Sequence, residues 1–327
     1  KENPNAKIVV TGCAAQINSA KFANMDEVEF VFGNKEKMED EAYKVIQGAI
    51  LKPSISEAVA ERHEDKIFLK ERASFNAFNE EKVFVNDILS IKETAGHLVT
   101  DFEGQSRAFV QIQNGCNHRC TFCIIPFARG NSRSVPFGVI TEEVKKLVES
   151  GYKEIVLTGV DITDYGKDLA GDLTLGRMIK RLLKLVPNLP RLRLSSIDVA
   201  EVDRDIYELI ESEPRFMPYF HISLQSGDDL ILKRMKRRHV RADVLNFVKK
   251  VRYLRPDVAF GADIISGFPT EEEENFMNSY NLIEEAGISF CHIFSFSPHE
   301  GTPASKMPQV KREIIKSKNI FFITKDS

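Results

Sequence analysis

The sequence predicts an α/β protein, most of it built from parallel strands joined by helical crossovers, with a smaller α/β segment ahead of that part. Three observations predict this. Residues 1–70 alternate short β-rich runs with helical stretches. From residue 108 onward, six strand-like runs alternate with amphipathic helical segments. The unusual polar residues and cysteines gather where those runs end, as the active groups of parallel α/β folds do.

The 327 residues suffice for one large domain and a smaller one. Composition is that of a globular protein, with 43% apolar and 28% charged residues and no tryptophan. No apolar run approaches the roughly 20 residues of a membrane helix. Residues 1–12 lack the order of a secretory signal. Five cysteines, three of them crowded, indicate thiolate ligands in a reducing compartment rather than a disulfide scaffold. A cytoplasmic protein without a membrane partner is expected. The net charge of −3 exerts no global pull on nucleic acid, so a polyanion would have to meet a local patch.

Taken in order, "KIVVTG" reads as a strand over 7–10 ending at Gly12, "VEFVFG" as a second strand, and 35–47 as a helix. Residues 72–105 are polar and weakly periodic, a linker or an elaborated connection. Strands are then expected at 108–113, 154–157, 191–194, 219–224, 258–264 and 290–294. Helices are expected at 141–150, 174–185, 200–211, 228–236, 241–253 and 271–286. This order admits a doubly wound sheet or a complete or partial (β/α) barrel.

The loop "GCNHRCTFCIIPFARG" follows the first of these strands and spaces Cys116, Cys120 and Cys123 as Cys-x3-Cys-x2-Cys. Such spacing lets one loop wrap its thiolates around a single centre. A structural zinc site takes four protein ligands. His118 is a candidate fourth, though it sits between two cysteines, and no second Cys-x2-Cys follows. Three ligands leave an open coordination position. An iron–sulfur cluster with an open iron, a zinc site, and a disulfide with a spare thiol are the alternatives that spacing leaves.

At later strand ends, "LTGVDITDYG" offers Gly159 for close backbone approach and Asp161 as a carboxylate. "YFHISLQSGDD" puts His221, Ser223 and Gln225 on one face, which points inward in a barrel and needs polar partners. Ser226 with Asp229, and Thr270 with Glu273, read as capping boxes. In "FGADIISGFPTEEEENF", Asp263 and Gly267 are the functional candidates. "KRMKRRHVR" carries six Lys or Arg in nine residues, a solvated helical face or a phosphate-contacting patch. Cys291 reads as core, and Cys13 as a lone strand-end thiol.

Cys-x3-Cys-x-aromatic-Cys, with Phe122 before the last cysteine, resembles the signature of radical S-adenosylmethionine (SAM) enzymes. "IIPFARGNSRS" is similar to their methylthiotransferase branch. The resemblance implies a partial (β/α)6 barrel preceded by an incomplete α/β methylthiotransferase domain. It implies a [4Fe-4S] cluster on Cys116, Cys120 and Cys123 whose fourth iron chelates SAM, and reductive cleavage of SAM to a 5′-deoxyadenosyl radical. SAM contacts then fall to Phe122, Gly159, Asp161, Ser223, Gln225, Asp263 and Gly267. "TGCAAQ" resembles the segment in which Cys13 would ligate a second, auxiliary [4Fe-4S] cluster, incomplete here because two further cysteines have no counterpart. The expected divisions are 1–75 for the partial auxiliary-cluster domain, 76–105 for the linker, 106–320 for the barrel and 321–327 for a tail, without the family's RNA-binding TRAM domain.

"VTGCAAQ", "LTGVDITDYG" and "FARGNSRS" look most like enzymes that methylthiolate C2 of N6-threonylcarbamoyladenosine beside the tRNA anticodon. The implied partners are the tRNA anticodon loop and an external electron donor such as a flavodoxin or ferredoxin. Isopentenyladenosine, a ribosomal-protein aspartate, or an inactive iron–sulfur remnant are the alternatives.

Overall fold

Strands form where β-branched and aromatic residues run between turn residues, and helices where apolar residues recur every three to four positions. The computed structural model describes residues 3, 6–50, 82–91 and 106–323. Of these, residues within Lys1–Ile91 and Phe127–Gly130 form one unit, and those within Lys92–Pro126 and Asn131–Ser327 form the other.

In the first unit, β1 (Ile8–Thr11), α1 (Cys13–Ile17), α2 (Ser19–Ala23), β2 (Val28–Phe32), α3 (Asp40–Ile50) and β3 (Val83–Phe84) build a three-stranded parallel sheet, β1-β2-β3. The helix expected over 35–47 divides into a 3-10 turn (Glu36–Met38) and α3. β3 lies in the stretch read as linker. The rings of Phe32 and Phe84 stack at 5.0 Å, so burial of one aromatic face recruits this short segment to the sheet. The remainder of that stretch lies outside the described residues.

The second unit holds the six expected strands within one or two residues of their predicted ends. They are β4 (Arg107–Gln111), extended by β5 (Gln113–Asn114), which pairs with β6 (Arg133–Ser134); β7 (Glu154–Thr158); β8 (Leu192–Leu194), extended by β9 (Ser196–Ile197); β10 (Tyr219–Gln225); β11 (Ala259–Ser266); and β12 (Phe290–Ser295). Hydrogen bonding runs β4-β7-β8 and then β9-β10-β11-β12, all parallel. Successive strands therefore lie side by side and the sheet curls as a partial barrel. Among the described residues, β4 and β12 do not pair, and the barrel stays open between them.

Strand alternation gives this sheet two different faces. Val110, Leu157, Leu194, Ile222, Phe260 and Ile264 point outward and are buried beneath the helices. The crossovers are α4 (Phe137–Glu149), α5 (Leu175–Leu185), α6 (Arg204–Ser212), α7 (Asp229–Met235), α8 (Arg241–Leu254) and α9 (Glu273–Ala286). Met178, Ile179, Leu182 and Leu183 of α5 are all buried, as its amphipathic pattern requires. Each such side chain contributes about 1.5–3 kcal/mol. The inward face instead carries Arg193, Tyr219, His221, Ser223, Gln225 and Asp263.

Two expected helix starts shift. Asp228, not Ser226, caps α7 through a 2.9 Å bond from Ile231 N to its Oδ1, while Ser226 Oγ lies against Ser279 Oγ at 3.1 Å. Glu272 and Asn275 cap α9, while Thr270 takes φ +68° and its carbonyl and hydroxyl oxygens accept from Arg234. In both cases a tertiary partner takes the hydroxyl that local spacing assigned to a cap. A last helix, α10 (Arg312–Ile323), extends into the predicted tail. Phe321 and Phe322 pack on Phe276, and Lys318 pairs with buried Glu271 at 2.7 Å. Among the described residues no helix is long and apolar enough to cross a membrane.

Glu143 on the buried face of α4 has an Oε2 without a hydrogen-bond partner, and burial pushes its carboxyl up to about 7. A raised folded value favours the protonated form. Its stabilising effect is complete below the unfolded value near 4.5 and is lost as pH rises through about 7. Glu143→Gln should therefore exceed the wild type by roughly 1–3 kcal/mol at pH 8, with the gap closing below pH ~4.5. Urea denaturation across that range measures it.

Candidate active site

The cysteine loop is held at its other residues, which leaves the thiols free to converge. Gly115 turns the chain out of β5 with φ +73°. Asn117 Oδ1 accepts from Ser132 N at 3.1 Å, and Thr121 Oγ1 donates to Arg234 O at 2.8 Å. Thr121 N also donates to Met235 O, and its carbonyl accepts from Ala304 N. Cys116, Cys120 and Cys123 consequently line a single cavity with about 700 Å³ of empty space, part of it open to solvent.

Phe122, Asp161, Ser223 and Gln225 of the predicted set line the same cavity. Gln225 sits where the β10–β11 register shifts and takes φ +68°, a strained backbone of the kind found at ligand sites. Phe122 packs edge-on against Phe268 at 6.4 Å. Three predicted residues lie outside the lining. Gly159 is required for a different reason than ligand approach, because a Cβ there would meet Gln113 O at 2.7 Å. Gly267, at φ +75°, makes room for Ile315 of α10. Asp263 lies farther down the barrel, paired with His221 and His292.

The structure adds His118, Ser196, Asp198 and Arg237 to the lining. Lys233, Lys236 and Arg238 of the basic run are exposed, as a solvated face would have them, but Arg237 is not. Its side chain is 10% exposed; Nη2 donates to Asp198 Oδ2 and Ser223 O, each at 2.9 Å, and Nη1 lies 3.7 Å from Cys120 Sγ. Its neighbours are committed as well, Arg238 to Glu201 and Arg241 to Asn278 O and Glu285. Only the alternation of apolar Met235 and buried His239 within the run hinted at this.

His118 Nε2 lies 2.8 Å from Asp161 and 3.4 Å from Glu201. Those two carboxylates, Asp161 first, hold the imidazole up at about 9, which favours its protonated form at neutral pH. Glu201 is held down at about 2, chiefly by His118 and then, against burial, by Lys167. Burial works against Asp198 as well, but His239 and Arg237 outweigh it and hold that carboxyl at about 2. The free Cys116 thiol is pushed up to about 12 by burial and by Asp161, and burial raises Cys123. A bound metal's positive charge reverses that order, since metal-bound thiols are deprotonated.

The donor set suits such a centre. His118 N points at Cys116 Sγ from 3.3 Å and Arg237 at Cys120 Sγ, so two sulfurs already have partners for negative charge. His118 is occupied by two carboxylates, which removes the fourth ligand that a closed zinc site needs. Three thiols and an open position remain.

Cys13 lies in the first unit, at the start of α1 after Gly12 at φ +100°. Asn34 Nδ2 lies 3.7 Å from its sulfur, and Asn34 N donates to Gln16 Oε1 at 2.8 Å. Cysteine and glutamine of "TGCAAQ" thus act on the same asparagine.

A partial barrel of parallel strands with a three-thiol loop at its strand ends defines an S-adenosylmethionine-type radical enzyme scaffold, and the radical SAM superfamily matches residues 110–283. The threonylcarbamoyladenosine tRNA methylthiotransferase MtaB of Rickettsia prowazekii (strain Madrid E) is 52% identical over 318 residues, 97% of this chain and 68% of that protein. MtaB of Aquifex aeolicus (strain VF5) is 38% identical over 320 residues, covering 98% of this chain and 70% of that one. The tRNA-2-methylthio-N(6)-dimethylallyladenosine synthase of Ehrlichia chaffeensis (strain ATCC CRL-10679 / Arkansas) is 39% identical over 215 residues, 65% of this chain and 48% of that protein. Among solved structures, the radical SAM methyltransferase TsrM from Kitasatospora setae shares the fold with TM-score 0.51 at 16% identity, over 60% of this chain and 38% of that one. The chain belongs to the radical SAM superfamily and, within it, to the family of MtaB threonylcarbamoyladenosine tRNA methylthiotransferases.

Arg237→Met leaves Asp198, 7% exposed, without the guanidinium at 2.9 Å and with His239 as its remaining side-chain partner. The expected cost is about 3 kcal/mol in chemical denaturation, because one partner of a buried ion pair is removed and the carboxylate is left under-compensated.

Proposed function

We propose that this protein transfers a methylthio group to C2 of N6-threonylcarbamoyladenosine in tRNA, next to the anticodon, by a radical reaction that uses SAM as methyl donor and radical source. It draws electrons from an external one-electron carrier such as a flavodoxin or ferredoxin and works in the cytoplasm. The observation that carries this reading is the convergence of three thiols on one strand-end cavity in a chain 52% identical to a protein of that name.

Cys116, Cys120 and Cys123 would hold a [4Fe-4S] cluster. When bound, that cluster supplies an open iron for the amino and carboxylate groups of SAM and the electron that cleaves the sulfonium. The rest falls to the protein. Arg237 and the His118 amide donate toward sulfur, and Arg237, bonded also to Ser223 O, ties the loop to the barrel. Ser223 and Gln225 present hydrogen-bonding groups from the end of β10, and Asp161 a carboxylate from the loop after β7. Phe122, braced by Phe268, forms an apolar wall that limits water. Cys13 is the single cysteine of the first unit's described residues. In the two-cluster arrangement of the MtaB family, Cys13 would be one ligand of the auxiliary cluster, which would supply the sulfur of the methylthio group.

Cys120→Ala should lose the bound iron and all reductive cleavage of SAM after anaerobic reconstitution. Persistence of 5′-deoxyadenosine formation would overturn the cluster assignment. Mass spectrometry of digested tRNA from a deletion strain tests the substrate. A normal level of 2-methylthio-threonylcarbamoyladenosine would exclude it.

A further inference from the structure

Inside the barrel lies a second polar cluster that the reading above leaves unused. Tyr219, His221, Ser223 and Gln225 share the inward face of β10, so His221 sits one two-residue step, about 7 Å, below the Ser223 edge of the cavity. Asp263 of β11 stands beside it. Its Oδ1 lies 2.9 Å from His221 Nε2 and 3.2 Å from Nδ1 of His292, its register partner on β12. Tyr219 OH is 3.0 Å from His221 Nδ1, and the two imidazole rings are 4.9 Å apart. The neighbouring residue must be glycine, because a Cβ on Gly261 would sit 2.6 Å from His221 Nδ1 and 2.4 Å from the Tyr219 hydroxyl.

This arrangement orients His292. Its Nδ1 is tied to a carboxylate, which leaves Nε2 as the nitrogen without a partner among the described residues. The side chain is 64% exposed. It stands on the open edge of the barrel between Phe290 and Phe294, themselves 60% and 53% exposed. An anchored imidazole between two exposed aromatic rings, on the inward face of the sheet and outside the lining of the cysteine cavity, forms a wall with one hydrogen-bonding group and two ring faces to offer.

We propose that this wall is the subsite for the N6-substituent of the substrate adenosine, and that His292, positioned by Asp263 and His221, selects a polar threonylcarbamoyl group over a hydrocarbon one. The proposal rests on the functional reading above. A threonylcarbamoyl group carries a urea, a hydroxyl and a carboxylate, which can satisfy imidazole and carboxylate partners alike. A dimethylallyl group offers none of these and would desolvate the wall without replacing its hydrogen bonds. Sites built to hydrogen-bond reject analogues that lack the polar group, whereas apolar pockets discriminate weakly. The phenylalanines supply faces for the base plane.

The test compares two anticodon stem-loop RNAs, identical except for a threonylcarbamoyl or a dimethylallyl group on N6, with the anaerobically reconstituted full-length protein. The wild type should favour the threonylcarbamoyl RNA. His292→Phe should lower the ratio of the two kcat/KM values at least about tenfold, through a raised KM for the threonylcarbamoyl RNA. His292→Gln, which keeps an amide within the reach of the imidazole, should recover part of it. Should His292→Phe not fold by circular dichroism, Asp263→Asn takes its place with the same expectation. An unchanged ratio, whether both activities persist or both fall together, would overturn the inference while leaving the functional reading intact. A wild type that favours the dimethylallyl RNA, or modifies neither, refutes the functional reading before any variant is made, and the inference with it.

Discussion

The site hangs on one buried amide. Gln113 is fully buried at the end of the first barrel strand and uses both ends of its side chain. Its Oε1 accepts from Val160 N at 3.0 Å and Asp161 N at 2.8 Å, while Nε2 donates to Gly115 O at 2.8 Å and Ser132 Oγ at 2.9 Å. The first pair fixes the loop after β7, and the second fixes the start of the cysteine loop. No apolar residue of similar volume can tie two loops together in this way, and a buried amide with fewer partners would be costly. The glycine at 159 exists to let Gln113 reach, so a residue that looks like a ligand-binding motif serves this joint.

Around that joint the loops are held by charge. His118 bridges Asp161 and Glu201, and Arg237 bridges Asp198, a strand carbonyl and a cysteine sulfur. Buried ion pairs add little net stability, because desolvation offsets most of the attraction. Their use here is geometric. Each bridges chain segments far apart in sequence, and each points a donor or carboxylate at the cavity that the thiols share. That is the preorganisation a radical-forming site requires, since it must order its cofactors before any bond is broken.

How much was legible follows from which pattern carried the information. The six strands emerge from apolar runs of β-branched and aromatic residues, and the thiol loop from a spacing that few other chemistries use. Ser223 was legible because strand alternation sets it on the face of His221, whereas Gln225 reaches the same cavity through the register shift at the strand end. The roles of Gln113, Asp198 and Arg237 were not, because each acts through a partner 39 to 48 residues away in sequence. Asp263 was assigned to the cofactor because it stands in a strand-end motif. Its side chain instead turns sideways to two histidines on neighbouring strands.

By itself the sequence determined the parallel α/β order, the crowding of three cysteines in one loop and the family, since local periodicity and motif spacing encode these directly. Tertiary structure alone decided which charges of "KRMKRRHVR" are buried, why position 159 must be glycine, and that an uncovered imidazole stands on the open edge of the barrel. These depend on which strands become neighbours. Register and burial, rather than residue type, turn a basic run into a sulfur-directed arginine and a strand-end aspartate into the anchor of two histidines.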